Sequence, residues 1–72
     1  MKKISVVIAG RHTSSISLEE EFWQELKIIA DLNGQSINQL VTQIDAQKDV
    51  ANLSSAIRVY VLKQLKKKAT EK

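Results

Sequence analysis

The stretch Thr13-Ser14-Ser15-Ile16-Ser17-Leu18-Glu19-Glu20-Glu21-Phe22-Trp23 changes its period midway, and that change decides the fold. From Thr13 to Leu18, Ile16 and Leu18 fall on one side and Thr13, Ser15 and Ser17 on the other. This is the period of two of a strand with one buried and one polar face. From Leu18 onward, Leu18, Phe22, Leu26, Ile29 and Ala30 recur at helical spacing and form a core stripe. Ser17 with Glu20 three residues on has the form of a capping box, and Glu19 to Glu21 place negative charge at the positive end of the helix dipole. A helix over 18–32 is predicted, with Asn33-Gly34 as its left-handed stop.

Upstream, Ile4 to Ala9 is β-branched and apolar and reads as a strand ended by Gly10. Gly10-Arg11-His12 fits either a hairpin turn between two strands or a kink in one extended segment. Downstream, Ser36 and Gln39 form a second capping box, followed by Ile37, Leu40, Val41 and Ile44 on one face, so a second helix is expected over 36–47. The link to the first helix is short enough to make a helix-turn-helix pair in the loose geometric sense. Polar Asp45 to Asp49 dilute this pattern. Asn52 then offers an N-cap to a third helix with Leu53, Ala56, Ile57, Tyr60, Val61 and Leu65 inward, expected to fray over residues 66–72. The whole, residues 1–72, reads as a single domain, mainly α with a short N-terminal β ribbon.

The chain has 72 residues, 11 Lys+Arg against 8 Asp+Glu, one His and no Cys. Absence of cysteine excludes thiol catalysis, Cys-based zinc sites and a disulfide scaffold. A domain this small buries only about 60% of its unfolded surface, so self-association is expected in place of those staples. The apolar run after Lys2-Lys3 is too short for a secretory leader, and no run approaches a membrane span. A cytoplasmic protein is the expectation. Charge is unevenly spread: residues 1–17 carry Lys2, Lys3 and Arg11 with no acid, whereas residues 18–34 hold Glu19, Glu20, Glu21, Glu25 and Asp31 against Lys27 alone. The last twenty residues carry Arg58, Lys63, Lys66, Lys67, Lys68 and Lys72 against Glu71. Basic termini flanking an acidic middle suit a polyanionic partner. His12 has no glycine elbow, oxyanion loop or placed acid beside it, so a nucleophile–base pair is not expected. Glu19 to Glu21 with one His read as a solvated helix start, so no metal and no cofactor are expected. Trp23 and Tyr60 read as packing residues, Trp23 in a dimer core rather than as a partner hot spot.

The order of strand, capped helix, glycine turn and second capped helix resembles the Arc/MetJ-like ribbon-helix-helix superfamily of small dimeric DNA-binding proteins. The resemblance rests on Thr13 to Leu18 as ribbon and Phe22, Leu26, Ile29 and Ala30 as first-helix core, with Asn33 to Asn38 as the turn. It is carried further by Ser17 to Trp23 and by Asn52-Leu53-Ser54-Ser55-Ala56-Ile57-Arg58, and it covers most of residues 5–62. It implies an intertwined homodimer whose paired strands enter the major groove of double-stranded DNA. Thr13, Ser15 and Ser17, with Arg11, would then approach base edges, Ser17 also serving as N-cap. Lys2, Lys3, Ser36 and Asn38 would contact phosphate, the last two at the N-terminus of the second helix. Family ribbons commonly carry a long Arg, Lys, Gln or Asn outward, whereas all three positions here are hydroxyls. Specificity would rest on Arg11, His12, DNA shape or bridging water. The function implied is a non-enzymatic transcriptional regulator, a repressor of bacterial or phage type. The competing reading is a dimeric protein-interaction module such as an antitoxin, binding a protein partner through the third helix.

Overall fold

Ile4, Val6 and Ile8 alternate with Lys3 and Ser5, and the computed structural model, which describes residues 1–48 and 52–70, forms strand β1 over Lys2–Ile8. β1 pairs antiparallel with β2 (His12–Leu18), from Lys2 opposite Leu18 to Ile8 opposite His12. The chain therefore turns at residues 9–11. Ala9 and Gly10 have φ of 55° and 70°, and the Arg11 N–H donates to the Ile8 carbonyl at 3.1 Å, as in a type I′ turn. β1 ends at Ile8, one residue earlier than expected, because Ala9 is left-handed. Val6, Ile16 and Leu18 are buried beneath the hairpin, with Ile4 and Ile8 packed beside them.

Helix α1 (Glu20–Leu32) starts later than its apolar stripe suggests. Its N-cap is Glu19, with no side-chain cap bond, so the Ser17–Glu20 box is not formed. Ser17 stays extended in β2 because α3 takes both its backbone groups: its N–H donates to Ser54 Oγ at 3.0 Å and its carbonyl accepts from Arg58 Nη2 at 3.1 Å. Leu18 is fully buried, as the last residue of the strand rather than the first of the helix. Leu26 and Ala30 are buried, and Phe22, Trp23 and Ile29 pack half-buried against them. The helix stops as expected: Gly34 takes φ 66°, the Gln35 N–H donates to the Ala30 carbonyl and the Gly34 N–H to that of Asp31.

In α2 (Ile37–Gln47) both halves of the second capping box form, Gln39 N–H to Ser36 Oγ at 3.1 Å and Ser36 N–H to Gln39 Oε1 at 2.8 Å. Leu40, Val41 and Ile44 are buried. Asn52 caps α3 (Leu53–Thr70) by accepting from the Ser55 N–H at 3.0 Å. α3 runs on through Lys66, Lys67 and Lys68 to Thr70, correcting the frayed segment expected there, while Asp49 and residues 71–72 lie outside the described residues. Lys, Gln, Leu and Ala are good helix formers, and lysines in the last turn complement the helix dipole. Ala56, Ile57 and Val61 complete the core. The architecture is a two-stranded layer on a layer of helices, α2 behind β1 and α3 and α1 behind β2. The ribbon, which the resemblance places between two chains, is closed within one.

Candidate nucleic-acid interface

In a strand pair, residues directly opposite share a face. The pairs Lys3–Ser17, Ser5–Ser15 and Val7–Thr13 alternate with the buried pairs and so stand on the side away from the helices. Lys3, Ser5, Thr13 and Ser15 are exposed and Ser17 half-buried. Residues 1–18 contain no carboxylate side chain, so this outer face is made of hydroxyls, one valine and a lysine. Arg11 extends it at the turn and is exposed. Lys2 and His12 belong by register to the helix side, opposite Leu18 and Ile8, and are exposed at its two ends. Ser5 joins the outer face unforeseen. Its signal was the alternation of Lys3 and Ser5 with Ile4, Val6 and Ile8.

The two edges of the ribbon are treated differently. Along β1, the Val7 N–H donates to Asn38 Oδ1 at 3.1 Å and the Ala9 N–H to Thr42 Oγ1 at 2.9 Å, so two side chains one turn apart on α2 cover the turn end of this edge. These bonds draw the N-terminus of α2 against the turn end of the ribbon. Ser36 Oγ is occupied by its cap and Asn38 Oδ1 by β1, while the Ile37 and Asn38 backbone N–H groups precede the first intrahelical bond, as at any helix N-terminus. A helix end of this kind favours an anion through its donors and its dipole. Along β2, among the described residues, Ser54 and Arg58 hold Ser17 alone. Because outward-pointing backbone groups alternate along a strand, Thr13 and Ser15 present theirs in the same direction as Ser17.

Arg58 is also an anchor: its Nε lies 2.8 Å from Glu19 Oε1. The Arg58 hydrogen bond, supported by the Glu19 backbone N–H, holds the Glu19 carboxyl below its ordinary range. Thus the acidic group nearest the ribbon is already neutralised by α3. Lys27 sits 5.4 Å from the centre of the Trp23 ring, covering it at the surface of α1. No helix among the described residues is long and apolar enough to cross a membrane.

A protein-family model described as a ribbon-helix-helix domain matches residues 1–65. Neither the curated proteins nor the solved structures give a significant match.

Proposed function

The chain belongs to the ribbon-helix-helix family, whose domains are DNA-binding or regulatory modules rather than enzymes, and from that premise we propose a homodimeric, sequence-specific DNA-binding protein acting as a cytoplasmic transcriptional repressor of bacterial or phage type. The observation that carries this reading is the acid-free outer face of the hairpin, with Lys3, Ser5, Thr13, Ser15 and Ser17 side by side. The major groove is about 12 Å wide and admits a two-stranded ribbon. A second copy adds its β2 along Thr13–Ser15, where the edge is open, and the two β2 strands become the centre of the inserted sheet. Strands lie about 4.8 Å apart, so the outer β1 strands of such a sheet come against the groove walls. This sets Lys3 at phosphate and Thr13 and Ser15 at base edges. Lys2, Ser36 and Asn38 meet flanking phosphates, and Arg11 reaches out from the turn. Hydroxyls discriminate bases weakly, so DNA shape and bridging water share the readout with Arg11.

Titration against duplex DNA at two salt concentrations tests the proposal. The logarithm of the association constant falls steeply with that of salt, by about one unit less in slope for Lys3→Ala. Thr13→Ala with Ser15→Ala alters sequence preference and leaves non-specific affinity nearly unchanged. No binding at about 50 mM salt, where phosphate contacts are strong, overturns the reading.

A further inference from the structure

Residues three and four apart share one face of a helix. On α2 the set Ile44, Gln47 and Lys48, and on α3 the set Ala56, Val59, Tyr60 and Lys63, line a common groove of about 340 Å³, within the size range of small-ligand sites. Its floor is apolar: Ile44 and Ala56 are buried, Tyr60 is half-buried, and Val59 stays 47% exposed. Its rim is cationic, since Lys48 and Lys63 line it and no carboxylate does. Lys48 already holds Asp45 at 2.8 Å, whereas the Lys63 ammonium and the Tyr60 hydroxyl have no bonding partner among the described residues. α3 as a whole carries Arg58 and four lysines and no acidic residue, so the field over this groove is positive.

We propose that the α2–α3 groove binds a small amphipathic carboxylate, its apolar tail on Ile44, Ala56 and Val59 and its carboxylate at the Lys63 ammonium and the Tyr60 hydroxyl. The groove selects for this chemistry by its two halves. A wholly apolar ligand would cover Lys63 and leave the ammonium without a counter-charge, and a hydrophilic anion would leave Val59 and the floor against water. A cation would meet the ammonium and the positive field of α3. A molecule with an apolar body and one acidic end answers both halves, with a charge-assisted hydrogen bond at the acidic end. The position of the groove gives its occupancy a consequence. α2 holds β1 through Asn38 and Thr42, and α3 holds β2 through Ser54 and Arg58. A ligand that joins these two helices braces the frame to which both ribbon strands are fixed, so ligand and DNA favour each other's binding. The binding of the carboxylate does not rest on DNA recognition; this coupling does.

Octanoate is the probe, titrated into the isotope-labelled full chain without DNA and followed by backbone amide NMR shifts. Saturable shifts are expected at Ile44, Gln47, Ala56, Tyr60 and Lys63, with a dissociation constant of about 1 mM or lower. Octanol, which has the same tail and no charge, binds about threefold or more weakly, and Lys63→Glu weakens octanoate by at least a similar factor. Lys63 is exposed, and a circular-dichroism melt verifies that the variant folds; the comparison of octanoate with octanol needs no variant. Shifts that scatter over the surface or gather instead at Leu32 and Leu65 overturn the proposal, as does equal affinity for octanoate and octanol or an unweakened, folded Lys63→Glu. With duplex DNA present, saturating octanoate tightens binding by about fivefold or more. Unchanged DNA affinity overturns the coupling, and absence of DNA binding with and without octanoate refutes the DNA reading instead, while the shift titration alone judges the site.

Discussion

Ala9 takes φ 55°, where the missing freedom of a β-carbon matters most, and is the one described non-glycine residue in that region. Left-handed backbone costs an L-residue about 1–2 kcal/mol, less for Asn, whose side chain bonds locally. Ala9→Asn is expected to raise stability by about 0.5–1 kcal/mol in urea unfolding, since it converts Ala9-Gly10 into the favoured Asn-Gly pair of a type I′ turn. At the other end of β2, Glu19 has a folded-state pKa lowered chiefly by Arg58. A lowered carboxylate pKa stabilises the fold above the unfolded value, and that contribution disappears as pH falls through the folded one. The melting temperature of the wild type should therefore exceed that of Glu19→Gln at neutral pH and converge with it in acid; a gap independent of pH would show that the ion pair is not its source. Glu19→Gln is the informative change, because Arg58 also holds the Ser17 carbonyl and its loss would confound two bonds.

At the scale of elements, α2 acts on the ribbon through Asn38 and Thr42. Each bond is worth about 0.5–1.5 kcal/mol, toward the lower end where water competes. Asn38→Ala/Thr42→Ala is expected to cost about 1 kcal/mol in denaturant unfolding and to raise aggregation measured by light scattering, because an unsealed edge pairs with other strands. What sequence revealed about these elements divides by the range of the bonds involved. The Asn33-Gly34 stop, the Ser36–Gln39 box and the Asn52 cap are made between residues three to five apart, and each reads directly from local order. The Ser17–Glu20 box has the same local form yet fails, because Ser54 and Arg58, almost forty residues later, hold Ser17 extended. The hairpin was ambiguous since Ala9-Gly10 is a poor turn signal, redeemed by the Thr42 bond from α2. Likewise the hydroxyls Thr13 and Ser15 were legible as an outer face from their alternation alone. Ser5 and the seal by Asn38 became visible only once β1 had a partner and a register.

Across the whole molecule, the acid-free outer face of the hairpin and the exposed apolar side chains of α1 and α3 belong to different layers. The outer face of the ribbon looks away from the helices, and the groove between α1 and α3, lined by Ile28, Leu32 and Leu65, belongs to the helical layer. Lys3→Ala is therefore expected to change the salt slope of DNA binding without changing mass in sedimentation or the unfolding midpoint in urea. Arg58 and Glu19 tie the layers together at the root of β2. The hairpin turn carries a further consequence. A ribbon assembled from two chains dissolves on dilution, since its strands meet only at the rate and to the extent that mass action allows. Here a three-residue loop supplies β2 with its first partner, so strand meets strand on a timescale of about 1–10 μs whatever the number of molecules present. At copy numbers too low for chains to find each other, the outer face of the hairpin, the one proposed to meet DNA, is still folded.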